Sequence, residues 1–561
     1  MRFGSWRLLT PLLALATLLG CRDATDGLAG GNVQITLQAQ FEKKPMTTGG
    51  PGATVLRPAR YCYAEVRDAN TQALLSSGYL GSDGTGTAAI PRGLSIYVQV
   101  FAQYQVPSPD PASFFLRGSV KDAPLPAGAL SLSAFTAIPV WSVTSATVLA
   151  DRDGTLGVTA LASNRIAGAF NIADQAVTFA AAVRDMDMNG TATTSLRLPN
   201  LHTFWTTSTN PADQSLTYPA IMAGPSSTIL VTDSQRALFA HGVRGRAGSD
   251  TDEWDDGVLQ EAFAHLLFAD NTLKADGSSP WSLLRRDNDN VWVDRAVQSE
   301  STVAFVGGFC DFLAGAVRND SRLLDSYVDG GGVARVDSFD LADHATVAPS
   351  EKGEFARGSI AVSLWGIWKN ALGGGQPGLN TLWAAARSRT PMANNVGEYE
   401  VATLGCYPSY LLGVQSRVQP TPWTATLAEL ALEAVPNPSP VTGYFTGNRL
   451  WETVSLPFSV TDTLQTYDPS ANIYYDRNQS QAWRFAHSGT GTRTVTMNPI
   501  EGQDFYLEVI GPDGWVAGSF SGTAVTRTLT LTSLPAGNYV ARVRAGNTTL
   551  TGSFQYTLTI N

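Results

Sequence analysis

The sequence predicts a multidomain α+β protein, with a β-sandwich at each end and an α-rich body between them. Three patterns predict it. Short runs alternate apolar and polar residues near the N-terminus, as in Val33-Gln34-Ile35-Thr36-Leu37. From 161 to 435 the apolar residues recur with helical spacing instead. Beyond residue 480 the alternation returns, in short runs separated by Gly, Pro, Asn and Asp. A chain of 561 residues also exceeds what one core supports, since single cores rarely pass about 250–300 residues.

The first segment reads as an export signal. Arg2 and Arg7 precede an apolar run, Leu8 to Leu19, interrupted by Pro11. A dozen apolar residues are too short for a bilayer span, which takes about 20. Leu18-Leu19-Gly20-Cys21 resembles the lipobox of bacterial lipoproteins, which implies removal of residues 1–20 and a diacylglyceryl group on Cys21. Arg22, rather than Asp, follows that cysteine, and by the same resemblance implies an outer-membrane lipoprotein, periplasmic or surface-exposed. Residues 21–32 are then a lipidated tether, and no later segment is expected to be long and apolar enough to cross a membrane. The partner so implied is the lipid bilayer. The net charge of −10 and the lack of a basic cluster argue against nucleic acid.

Residues 33–106 read as the first β-sandwich. Besides 33–37, strands are expected around Tyr61 to Val66 and Leu94 to Val100, with a turn at Gly81-Ser82-Asp83-Gly84-Thr85-Gly86. The run from Val66 to Val100 resembles carboxypeptidase-regulatory-like and transthyretin-like modules. Residues 107–160 read as a β-rich connector. Helices are expected over 165–183, with Asn164 as cap, and over 255–268, 297–317, 355–370, 379–388 and 421–434. Pro436-Asn437-Pro438-Ser439-Pro440 closes the body, and 436–479 reads as a linker.

Residues 480–561 carry six expected strands: 482–485, 493–497, 505–510, 525–531, 539–543 and 554–560. Their turns, Gly511-Pro512-Asp513-Gly514 and Leu534-Pro535-Ala536-Gly537-Asn538, and the final Tyr556-Thr557-Leu558-Thr559-Ile560, resemble bacterial pre-peptidase C-terminal domains. That resemblance implies a non-catalytic accessory domain. Besides Cys21 the chain has Cys62, Cys310 and Cys406. A Cys310–Cys406 bridge is the preferred pairing, against three buried free thiols.

The stretch that bears most on function is Glu261-Ala262-Phe263-Ala264-His265. In a working His-Glu-x-x-His helix, two imidazoles four residues apart grip one zinc, and the glutamate between them activates the bound water. Here Glu261 stands at the first ligand position, Ala262 at the general base, and only His265 survives. An acidic run, Ser249 to Asp256, precedes it. Downstream, Ala304-Phe305-Val306-Gly307-Gly308-Phe309-Cys310-Asp311 follows. Together they resemble gluzincin-like bacterial lipoproteins, in which a glutamate at the position of Gly307 would be the third ligand. The resemblance therefore implies a metallopeptidase-like body whose base and third ligand are lost and whose first ligand is altered.

With one imidazole and one carboxylate, no cofactor is expected. Zinc enters only if other groups rebuild the site, for which His202, His241, His344, Glu300 and Asp311 are the candidates. Without metal, Glu261 and His265 are four apart and can pair across one turn. The acidic run reads as a solvated helix start, with a calcium loop as the lesser reading. Trp254 and Asp311 are candidates for lining an inherited cleft, while Trp365 and Trp368 read as core. The chain is expected to be a catalytically inactive, metallopeptidase-like envelope lipoprotein that binds a peptide, protein or glycan. The alternatives are a zinc endopeptidase with a remodelled site and a surface adhesion or scaffold lipoprotein.

Overall fold

The computed structural model describes residues 31–108, 114–123, 137–187, 200–205, 221–222, 235–239, 253–272, 301–328, 333–347, 356–387, 410–411, 414, 452–466, 480–500, 505–511, 514–519, 525–545 and 552–561. β-sheet-rich, sandwich-like regions at both ends flank a region rich in helix. Cys21, His241, Glu300, Cys406 and the helix expected over 421–434 lie outside the described residues.

The alternation near the N-terminus produces two facing sheets. Asn32–Lys43 pairs antiparallel with Thr85–Pro91 and Val55–Pro58, and parallel with Gly154–Ala160. The larger sheet is centred on Ser95–Pro107, whose even-numbered residues Ile96 to Val106 point inward and are buried. Cys62–Asp68 lies beside it, then the edge strand Leu74–Tyr79. The expected turn forms, with the Gly84 amide donating to the Gly81 carbonyl at 3.1 Å. On the other side Phe114–Asp122 pairs antiparallel with Ser95–Pro107 and parallel with Asn200–Trp205, which pairs parallel with Gln235–Phe239. The sheet that begins near the N-terminus thus extends into strands that lie between the helices in sequence.

Among the described residues, five α-helices build the body. We label them α1 (Ile166–Asp187), α2 (Asp256–Thr272), α3 (Ser301–Arg318), α4 (Arg357–Gly366) and α5 (Gly375–Arg387). Helix α1 has the length and apolarity of a membrane span, contrary to the expectation of none. Most of it is buried: Phe170, Ile172, Val177 and Val183 belong to the same core as Val98 and Val100. Trp254, Trp365, Trp368 and Trp383 are buried in this core too, so Trp254 does not line an open cleft.

The C-terminal region closes around a second core that includes Trp483, Phe485, Phe505, Tyr539 and Tyr556. One sheet orders Glu452–Val454, Ser480–His487, Gly537–Ala545, Phe505–Gly511 and Gly514–Ser519. The other orders Phe458–Thr466, Gly552–Ile560, Arg493–Pro499 and Arg527–Leu531. Two of these strands, Glu452–Val454 and Phe458–Thr466, come from the stretch read as a linker.

Candidate functional site: a buried carboxylate–guanidinium cluster

The described part of the acidic run, Glu253 to Asp256, is an anchor, not a solvated face. Glu253 and Asp255 are fully buried. Glu253 is ion-paired with Arg165 at the start of α1, and Asp256 with Lys43 at the end of the first strand. Asp255 accepts from the Ser326 amide at 2.7 Å and from its hydroxyl at 3.0 Å. Asn171 of α1 donates to the Glu253 carbonyl at 2.7 Å and to Asp256 Oδ1 at 3.1 Å. Each buried charge has its compensation, without which burial is costly. The position of α2 is therefore set by groups from three other elements. Further along, Gln260 donates to the Gln175 carbonyl and side chain at 2.9 and 2.8 Å, which joins α2 to α1.

The next residue of α2, Glu261, is 7% exposed and faces α3 and α4. His265 Nε2 lies 3.7 Å from Glu261 Oε1, an electrostatic contact longer than a hydrogen bond. Ala262 is buried among apolar neighbours, and Phe263 packs on Phe179 with ring centroids 5.9 Å apart. From α3 comes Asp311, fully buried and one helical turn from Gly307.

The group that joins these residues is Arg357, the first residue of α4, which sequence reasoning missed. Its guanidinium donates from Nε to Asp311 Oδ2 at 2.6 Å and from Nη2 to Asp311 Oδ1 at 2.9 Å. The same Nη2 donates to Glu261 Oε1. Burial alone would lower the pKa of this guanidinium. The charges of Asp311 and Glu261, and their hydrogen bonds, outweigh that and hold it above the ordinary arginine value. Arg357 is a permanent cation at 1% exposure.

Gly307 makes the space for it. A Cβ at 307 would lie 2.8 Å from Arg357 Cδ, and one at Gly308 would lie 2.7 Å from the Arg357 carbonyl oxygen. The two glycines let α3 approach α4 closely, with the arginine stem lying over the first. The signal for Arg357 was present in the sequence. It is the one charged residue of Arg357–Gly366, whose other residues are apolar apart from Ser359 and Ser363.

Cys310, beside Asp311, carries a free and fully buried thiol, so the expected bridge to Cys406 is not formed. Burial, then the charge of Glu261, pushes its pKa well up and keeps it protonated. Cys62 is likewise free and buried. Asp311, a candidate for the cleft, is enclosed rather than exposed. His202, a candidate for compensating ligand, sits on the large sheet with its Nδ1 2.8 Å from Ser119 Oγ. Among the described residues, no group of three or more His, Cys, Asp or Glu is placed to hold a metal ion. A zinc ion does not fit the cluster as built, because a guanidinium already engages both carboxylates.

No known protein family and no curated protein matches the chain. Among solved structures, the pre-peptidase C-terminal domain of a collagenase from Bacillus anthracis aligns with 20% of this chain and 93% of its own, at 10% identity and a TM-score of 0.15. PliG of Aeromonas hydrophila, a periplasmic inhibitor of g-type lysozyme, aligns with 20% of this chain and 95% of its own, at 11% identity and a TM-score of 0.14. A cycloisomaltooligosaccharide glucanotransferase of Paenibacillus aligns over 93% of this chain and 72% of its own, at 9% identity and a TM-score of 0.12. None of these likenesses is close enough to bear on what the chain does.

Proposed function

We propose that this chain is a metallopeptidase-like binding protein that has lost catalysis, held at the bacterial envelope through a lipid on Cys21. The observation that carries the reading is Arg357. By the resemblance of the sequence to gluzincin-like lipoproteins, Glu261 and Gly307 would take the first and third ligand positions, and Ala262 that of the base. In the fold a guanidinium bonds to the carboxylate of Glu261, and its stem lies against Gly307. A fixed organic cation thus stands where that resemblance would put a metal. A guanidinium has no open position for water and no acid strength to ionise one, so it supplies none of what a catalytic zinc supplies. Ala262 can take no proton.

What such a body retains is a well-packed helical core between two sandwich-like regions, which suits recognition of a peptide or glycan. The reading is tested by incubating the full chain with casein and a mixed-sequence peptide library, with and without added zinc. No cleavage is expected under either condition. Zinc-dependent cleavage abolished by His265→Ala would overturn the proposal and establish the endopeptidase alternative.

A further inference from the structure

We infer that the outward face of the large N-terminal sheet binds an uncharged glycan. The inference rests on the binding reading above and names a surface and a ligand class for it. Three aromatic residues form a row across three neighbouring strands of that face. Tyr79, on the edge strand Leu74–Tyr79, is paired in register with Tyr63, and Tyr63 with Phe101. Their ring centroids step across the sheet at 5.3 and 5.9 Å, with interplanar angles of 57° and 41°. Tyr79 is 37% exposed, and Tyr63 and Phe101 are partly exposed, on the side opposite the core residues Ala64, Val100 and Ala102.

Cross-strand aromatic pairs do stabilise sheets, which accounts for one pair. A third ring, left open at the sheet edge, adds apolar surface that the core does not use. Amide groups flank the row and are held in place. Gln103 Nε2 donates to the Tyr79 hydroxyl at 3.1 Å, and Gln99 Nε2 to Ser142 Oγ at 2.9 Å. The two charges beside Tyr63 on its own strand are paired, since Arg67 Nε donates to Glu65 Oε2 at 2.8 Å, and farther along the sheet Arg117 Nε donates to Gln105 Oε1 at 3.2 Å.

Ring faces carry partial negative charge and attract the weakly positive C–H groups of a sugar ring. Amides and phenolic hydroxyls, which both donate and accept, match sugar hydroxyls. With Glu65 and Arg67 paired, the residues around the aromatic row carry no net charge to favour an acidic glycan over a neutral one.

The test is native affinity electrophoresis of the full chain in gels cast with hydroxyethylcellulose, galactomannan or glycol chitin, with alginate as the acidic control. At least one neutral polymer is expected to retard the chain, and alginate is not. Tyr79→Ala and Phe101→Ala are each expected to weaken retardation about three- to tenfold, while Tyr79→Trp preserves it. Melting curves of each variant separate a folding defect from a lost contact. Absence of retardation by every neutral polymer, or retardation by alginate alone, would overturn the inference. So would variants that melt earlier but bind unchanged, or binding of a peptide array that survives both substitutions. Zinc-dependent proteolysis would overturn the proposed function and leave this retardation intact, so the two fail separately.

Discussion

The Arg357 side chain lies over the bare Cα of Gly307, where an added Cβ would come within 2.8 Å of its Cδ. The pair sets a position without a side chain on α3 against a cation from α4. Because Arg357 is also tied to Asp311 and Glu261, it cannot swing aside cheaply. Gly307→Ala is therefore expected to destabilise the body by about 1–3 kcal/mol, the usual cost of overpacking. In an Arg357→Ala background the same change is expected to stabilise, by up to about 1 kcal/mol, since alanine favours a helix over glycine. Urea unfolding followed by helix circular dichroism measures both. Equal effects in the two backgrounds would refute the coupling.

How much of this was legible in the sequence follows from how local each signal is. Helical spacing is local, and α1 to α5 fall where the periodicity puts them. Glu261, His265 and Asp311 could be assigned to helix faces for the same reason. Arg357 could not, because its partners lie 96 and 46 residues away and a lone arginine in an apolar helix names no partner. The acidic run misled in the same way. Glu253 and Asp255 look solvated until Arg165 and Ser326 are brought to them by the fold. The strands Glu452–Val454 and Phe458–Thr466 were missed because their partners are equally remote.

The cluster predicts a contrast between breaking and replacing. Arg357→Met alone leaves two buried carboxylates without their cation and is expected to cost about 3–5 kcal/mol. Replacing the whole set, with Glu261→Gln and Asp311→Leu added, removes the stranded charges and is expected to recover most of that loss. The comparison uses the same unfolding transition. A triple variant no more stable than Arg357→Met would show that the cluster's charges are not what the single change exposes.

His202 predicts the direction of a pH effect. Burial first, and then the charge of Lys121, lower its imidazole pKa from 6.5 to about 3. Between those values the unfolded chain holds a proton that the fold excludes. This contribution is therefore fully present above pH 6.5 and is lost as pH falls toward 3, at up to about 1.4 kcal/mol per pH unit for one proton. His202→Gln keeps a partner for Ser119 and removes the titration. Urea midpoints from pH 7 to pH 4 are expected to fall more steeply in the parent than in the variant. Parallel slopes would contradict the assignment.

A guanidinium, not a metal, bonds to both Glu261 and Asp311. The most direct measurement is the zinc content of the full chain purified without chelator, reloaded with zinc and dialysed, for the parent and for His265→Ala. No bound zinc above background is expected in either protein. One zinc per chain in the parent, lost in His265→Ala, would contradict it.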